Sequence, residues 1–549
     1  MSADKDTNQV DHNNPNAGGP QPNFFLRLVQ KHYRESEYIR SEAKLRREEY
    51  LIPGVKFNRW YSMPAALIIQ FCCGSLYAWS VFNKPIDTYI YGKVVDMAPI
   101  TFYIAVGLFG TSAAIMGPWL ERHGPGFACA VGTTLFFIGN LLTALAIYTK
   151  QTWLVFIGYG VVGGYGLGLC YISPVSCLQK WFPDRRGLAS GLAVCGFGAG
   201  SIAVGKIILP LINAVGLPLS FVVFGCVYFV LMITCAMVLR IPPPGYSVAS
   251  PGGSPSMPSA KEEGATSSSD AVVANQNSSD SSSAIKLSLI ESLTSTEFRL
   301  MYVMFFANSI FGLVVISRLS NMIVDLFGKT ADEASTIVSI NGGANLAGRL
   351  IFSVASDYLG RKNCYIIMLT CQLIILGCFS TITNTQTYWA FLFTMFILTA
   401  SYGGGFGVIP AFLTDMFGAK NIGACHGVIL TAWSLAGVGG GLIFTAVYNQ
   451  LIASGEYKKE SPWVYNKNVW WIFGIVVVGW LVLFFLRTTV IDRLLPKVPG
   501  EIVRFKFFGT IYRFRNDGGF RVETVSKAQE ESEWREFLNH RVESSPPAY

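Results

Sequence analysis

Charge is what this chain has least of. Asp, Glu, Lys and Arg make up 14% of its 549 residues, while the apolar types reach 51%. Soluble domains carry about 25% charged residues, so the shortage excludes an ordinary soluble fold. Acids are missing from the interior of every long apolar run: Asp325, Glu333 and Asp415 stand only at the edges. The 12 cysteines fall almost wholly inside those runs, with no zinc-ligand spacing and too few outside for a disulfide framework. Cys364, Cys371 and Cys378 repeat along one helix face, as small, soft packing residues do. HExxH, Walker and GxSxG motifs are absent, so nothing supports an enzyme, a metal site or a cofactor. Gly158-Tyr159-Gly160-Val161-Val162-Gly163, followed by Asp184, does spell GxGxxG. No strand precedes it, however, and glycines inside an apolar run let helices approach closely, so packing is the better account.

What is present is hydrophobic length. Twelve runs long enough to cross a bilayer lie at 60–82, 99–120, 127–148, 153–173, 187–210, 219–240, 300–326, 334–355, 363–383, 388–412, 422–446 and 468–487. The fold class expected is an all-α membrane protein. The first run lies behind 57 residues of polar tail, so it is no cleavable signal peptide. The loops ERHG, KWFPDRRG and GRKN are basic, whereas NKPIDTYIYGKVVD is mixed and AVGLP uncharged. That pattern puts the basic end of the bundle, and both termini, in the cytosol. The net charge of +8 suits this rule and anionic headgroups, with no need for nucleic acid.

The chain divides into a cytosolic tail (1–57), a six-helix bundle (58–240), a linker (241–297), a second six-helix bundle (298–490) and a second cytosolic tail (491–549). The linker is rich in Pro, Gly and Ser and is expected to be disordered in the cytosol, which leaves its sequon at Asn277 unused. FFLRLVQKHYRESEYIRSEAKLRREEY in the first tail reads as a charged helix along the membrane surface. VRFKFFGTIYRFRNDGGFRVETV in the second reads as a hairpin at the headgroups. A disordered tail accounts for either equally well, and both are open to cytosolic partners. Whether the membrane is the plasma membrane or that of an organelle is not written in these features.

The sequence is written twice. GPWLERHGPG follows the second run and SVASDYLGRK closes the eighth; Glu121 and Asp357 are 236 residues apart (357 − 121), and Gly124 and Gly360 keep that offset. Pro174 with Pro410, and Gly191 with Gly427, repeat it. One offset across several motifs means a duplicated six-span unit, as in many secondary carriers. In these loops Glu121, Arg122 and Gly124, and Asp357, Gly360 and Arg361, are candidate gating residues. The acid can cap the next helix or hold basic residues, locking spans together until the halves rock. A solvated tight turn is the alternative.

Arg349 is the one cation deep in an apolar run, in GGANLAGRLIFSVASDYLGRK, roughly 12 Å inside the membrane at ~1.5 Å per residue. A charge there costs about 2.5–3.5 kcal/mol or more without a partner, so such a residue is kept to meet an anion. The bland alternative is an arginine that pairs with a carboxylate or snorkels to the cytosolic surface.

FNRWYSMPAALIIQFCCGSLYAWSVF, YISPVSCLQKWFPDRRGLASGLAVCGFGAG and NGGANLAGRLIFSVASDYLGRK resemble the oxalate:formate antiporter family of the major facilitator superfamily, close to the monocarboxylate transporters. The resemblance covers roughly 58–240 and 298–490 and implies the major facilitator fold, twelve transmembrane helices in two six-helix repeats. It implies that Arg349 binds a substrate carboxylate inside an aromatic cage to which Tyr77 and Tyr171 match. Phe197 stands where the family's exchanger has a tyrosine, and Tyr402 and Phe406 stand where it has a tryptophan and a tyrosine. For any one of these aromatics plain packing serves as well.

Two departures bear on the substrate. The exchanger's second cation, a lysine, is replaced by Trp433, and one cation suits a monoanion. Where monocarboxylate symporters carry an acid four residues before the arginine, Asn345 stands here. Without a buried acid there is no evident proton relay, which favours anion exchange or uniport. His426 could titrate at the inner end of span 11, though it reads first as a headgroup-level histidine. Arg318 and Lys206 fall near the outer ends of spans 7 and 5. The expectation is a carrier of small carboxylates, chiefly monocarboxylates. Its rivals are a dicarboxylate exchanger that adds Arg318 to Arg349, and a transporter-like sensor without flux.

Overall fold

The computed structural model describes residues 24–34, 38–95, 97–246, 248, 288–455, 457–458, 460–488, 495, 497–507, 510–516 and 518–543. Most of the 241–297 linker, with its Asn277 sequon, lies outside them. Among the described residues, twelve helices are long and apolar enough to cross a membrane: spans 1–6 are Arg59–Val81, Ala98–His123, Pro125–Tyr148, Thr152–Trp181, Arg186–Val215 and Leu217–Ala236. Spans 7–12 are Thr296–Phe327, Asp332–Leu359, Arg361–Asn384, Tyr388–Phe417, Ile422–Ala453 and Pro462–Phe485. Several run a turn or more past the apolar runs, because polar caps extend them. Thr330 and Glu333 form a reciprocal capping box at the start of span 8, which explains the acid at that edge. Asp325 likewise accepts hydroxyl bonds from Tyr465 (2.6 Å) and Tyr448 (3.4 Å).

The acid–glycine loops turn alike. Gly124 and Gly360 both sit at φ 87°, a region only glycine enters cheaply, and each turn leads directly into the next span. The GxGxxG stretch forms a π-helical segment, Phe156–Gly163, inside span 4. Its Gly158 packs on Thr143 of span 3 and its Gly160 on Ile104 of span 2, as close helix packing requires. Cys364 is buried, Cys371 half-buried and Cys378 exposed, and all are free thiols.

Both tails carry more structure than their composition promised. The first forms two short helices, Phe24–His32 and Glu42–Glu48, tied to the bundle. Pro118 in span 2 has no N–H for the carbonyl of Ala114, and the Tyr33 hydroxyl donates to that carbonyl at 3.0 Å. Arg122 donates to the carbonyl of His32, so this loop residue serves the tail. Arg40 donates to the carbonyls of Ile241 (3.0 Å) and Pro242 (2.6 Å), just past span 6.

In the second tail the hairpin around Asn516–Phe520 is one edge of a three-stranded antiparallel sheet, Glu501–Phe507, Thr510–Asn516 and Phe520–Val525, followed by a helix, Lys527–Glu543. Arg513, buried between sheet and helix, pairs with Glu501 (3.2 Å) and Glu533 (2.6 Å), and its hydrogen bond holds the Glu533 carboxyl below the usual carboxylate range. The missed strand and helix are held by this ion cluster, which apolar periodicity does not reveal.

Candidate functional site

The halves meet along spans 2 and 11 and along spans 5 and 8, where small residues let backbones touch. A Cβ on Gly427 would fall 2.0 Å from the carbonyl oxygen of Ala113. In span 10, the glycines of SYGGGFG bring the helix onto span 8: Gly403 lies against the Asn345 backbone and Gly407 against that of Arg349. This packing fixes the arginine from below and behind.

Arg349 is 1% exposed. Its Nε donates to Asn345 Oδ1 at 2.9 Å, and one terminal nitrogen donates to the carbonyl of Val194 in span 5 at 3.1 Å. Its guanidinium carbon lies 5.4 Å from the ring centroid of Phe197 and 4.9 Å from that of Phe406, one ring from each half. Among the described residues no carboxylate pairs with it, so neither a structural ion pair nor snorkelling accounts for its position. Cation–π contacts and two neutral oxygens reduce the cost of the buried charge without cancelling it.

The expected cage residues come together. Tyr77 and Tyr402 share a hydroxyl hydrogen bond at 2.7 Å, and Trp433 Nε1 donates to the Tyr402 hydroxyl at 2.9 Å. That network joins span 1 of the first half to spans 10 and 11 of the second. Tyr77 meets Phe197 edge-on at 4.7 Å, Tyr171 lies 5.7 Å from Phe197, and Phe406 lies 5.9 Å from Trp433. The single donor of the indole is thus committed to Tyr402, and Trp433 offers an apolar face.

The sequence reading did not place three neighbours of the cage. Phe109 of span 2 bridges Tyr171 (5.3 Å) and Trp433 (5.1 Å), and Phe305 of span 7 backs Phe406 (5.1 Å). Among 39 phenylalanines neither carried a distinguishing signal. His426 is the third. It is fully buried, with its ring 5.8 Å from Tyr171. Its place one turn into span 11 was legible; the direction of its side chain was not. Arg318 stands apart from the cage, bonded to Thr445 Oγ1 (2.6 Å) and stacked near Phe444 and Tyr448, and Lys206 is exposed.

At the basic end both loop acids cap helices, across the halves rather than on the next helix in line. Glu121 of span 2 accepts from the backbone N–H of Gly423, in the first turn of span 11, at 2.7 Å, and is held by Lys180 and by Ser176 (3.1 Å). Asp357 of span 8 accepts from the backbone N–H groups of Gly187 (3.0 Å) and Leu188 (3.2 Å), in the first turn of span 5, and pairs with Arg361 (2.7 Å). Gly187 and Gly423 keep the 236-residue offset of the acids (423 − 187), so the two caps are related by the internal repeat. Arg361 also joins Asp415, which pairs with Arg186 of span 5 at 2.8 Å.

The chain as a whole has known relatives. The chain is 26% identical over 381 residues to the uncharacterized MFS-type transporter YhjX of Escherichia coli, covering 69% of this chain and 86% of that one. It is 23% identical over 400 residues to the oxalate:formate antiporter of Oxalobacter formigenes, covering 72% and 86%. It is 22% identical over 333 residues to apicoplast pyruvate carrier 1 of Toxoplasma gondii, covering 53% and 60%. Among solved structures, the proton:xylose symporter XylE superposes with a TM-score of 0.58 at 15% identity, over 78% of this chain and 96% of that one, a likeness of fold alone. With twelve spans in two related halves, and with residues 66–441 matching the family itself, the chain belongs to the Major Facilitator Superfamily and is a multi-pass membrane transporter.

Proposed function

We propose that this transporter carries small organic anions, chiefly monocarboxylates, by alternating access, with Arg349 binding the carboxylate. One observation carries the reading: a guanidinium 1% exposed, between aromatic rings of opposite halves, with Asn345 rather than an acid beside it. A carboxylate entering the cage completes the charge that neutral oxygens leave uncompensated. The named activities of the oxalate:formate antiporter and the pyruvate carrier, both for small carboxylates, support the same class. Arg318, bonded to Thr445 some twelve residues beyond Trp433 in span 11, stands apart from the cage, which supports one cation at the site rather than the two a dianion needs. Exchange or uniport is favoured over proton symport because the arginine's neighbour, Asn345, cannot carry a proton. The basic end, both termini and the linker face the cytosol.

The test is uptake of labelled lactate, pyruvate and oxalate into proteoliposomes. Losing a charge-assisted pair in a poorly hydrated site costs ~2–5 kcal/mol, so Arg349→Ala is expected to lower transport at least thirty-fold while still inserting. Arg349→Lys recovers little, because an ammonium cannot reproduce a bidentate fork. Normal transport by Arg349→Ala would move the site elsewhere. Lactate binding without flux in the wild type would favour a sensor.

A further inference from the structure

The two caps at the basic end are related by the internal repeat, and the residues one turn beyond them are not alike. Ser190 of span 5 and His426 of span 11 keep the 236-residue offset (426 − 190), as do the residues they meet, Gly407 of span 10 and Tyr171 of span 4 (407 − 171). On one side a small pair closes completely: the Ser190 hydroxyl donates to the Gly407 carbonyl. On the other side a bulky polar pair stands open. Both ring nitrogens of His426, which is 0% exposed, have no hydrogen-bond partner, and the hydroxyl of Tyr171, which is 1% exposed, has no closed hydrogen bond and lies beside the Arg349 guanidinium, so the pair reaches from the cage toward the basic end. An unpartnered buried donor or acceptor is costly, and such groups are retained where something else fills them part of the time.

Beside Ser190, the halves are joined by Asp357 to the N–H groups of Gly187 and Leu188 and by Arg186 to Asp415. Beside His426, the Glu121 carboxylate on the Gly423 N–H, three residues before the histidine, joins the halves. That carboxylate occupies the N-terminal turn of span 11 as an anion would. Lys180 and Ser176, which hold it, belong to its own half and can draw it away as the halves part.

We propose that His426 and Tyr171 form a second anion subsite, through which the transported carboxylate passes between the Arg349 cage and the basic end, along the cleft of spans 4 and 11. The ligand class rests on the reading of Arg349 above; the position of the path does not. His426 lies two turns from Trp433 on the same face of span 11, so an anion leaving the cage toward the basic end meets the imidazole next. As Glu121 leaves Gly423, the freed N–H adds a donor to the same spot.

Two measurements test the path. In proteoliposomes with labelled lactate, His426→Leu is expected to slow maximal exchange about ten-fold while equilibrium lactate binding changes less than about three-fold. His426→Asn, which restores a hydrogen-bonding group, recovers much of the rate, and Ser190→Ala exchanges as the wild type does. Separately, full-length His426→Cys and Ser190→Cys proteins are treated from the basic side with an anionic thiosulfonate, with the wild type as thiol background. His426→Cys is expected to label and Ser190→Cys to resist. Equal labelling at both positions, wild-type exchange by His426→Leu, or loss of lactate binding along with rate in both histidine variants overturns the subsite. If the wild type does not bind lactate, the reading of Arg349 is what fails, and the labelling pair still decides the path.

Discussion

At the scale of single residues, the site is defined by what surrounds one cation. Asn345 and the Val194 carbonyl orient the guanidinium, and two phenyl rings cover its faces. On the proposed reading, Trp433 would limit the charge that the cage accepts. Its indole N–H is spent on Tyr402, so a second carboxylate would meet only an apolar wall. An uncompensated charge in that setting costs several kcal/mol. Wild-type protein is expected to favour lactate over oxalate, and Trp433→Lys to shift the preference toward oxalate by about ten-fold or more, read by competition in uptake. Tight oxalate binding by the wild type would contradict the one-cation account. Arg349 was legible because a charge inside an apolar run has few reasons to be there. His426 was not, because a histidine near a helix end fits a headgroup as well as a cavity, and only packing against Tyr171 distinguishes them.

At the scale of elements, each half's acid sits on a helix start in the other half. A carboxylate in the first turn gains from unsatisfied N–H groups and from the helix dipole, and a charged acceptor is worth about 1.5–3 kcal/mol. Glu121→Gln and Asp357→Asn each keep an acceptor oxygen but lose the charge. Both are expected to weaken the closed basic end, roughly ten-fold in its opening equilibrium. The native thiol of Cys425, buried two residues past Gly423, reports this as faster modification by a water-soluble maleimide. Unchanged reactivity in both variants would leave the caps structural. The loops were legible as acid–glycine turns, but not their partners, since contacts between halves depend on how two repeats dock.

At the scale of the molecule, hydropathy and a single offset sufficed for twelve spans in two halves. Lipid removes the alternatives: a backbone crossing it must satisfy itself as helix. The tails escaped that reading because their order comes from specific polar contacts, Tyr33 on a carbonyl that Pro118 leaves free and Arg513 among glutamates. The orientation of the whole follows the basic loops, so both termini and the linker are expected on the cytosolic side. Protease added to sealed right-side-out vesicles should spare all three, and cleavage of the linker from outside would invert the topology.

The hydrogen bond from Arg349 to the Val194 carbonyl crosses from one half to the other, as does its contact with the Phe197 ring. Asn345 and Phe406 travel with the arginine when the halves rock; Val194 and Phe197 do not. An empty carrier must therefore strip its cation of one oxygen and one aromatic face to turn over, whereas a loaded one brings a carboxylate to replace them. On the proposed reading of Arg349, reorientation without cargo would be the slow step, and flux in one direction would depend on return freight from the other. Lactate efflux from loaded proteoliposomes is expected to accelerate several-fold when unlabelled lactate is present outside, and equal rates with and without it would mean that the bare arginine crosses as readily as the paired one.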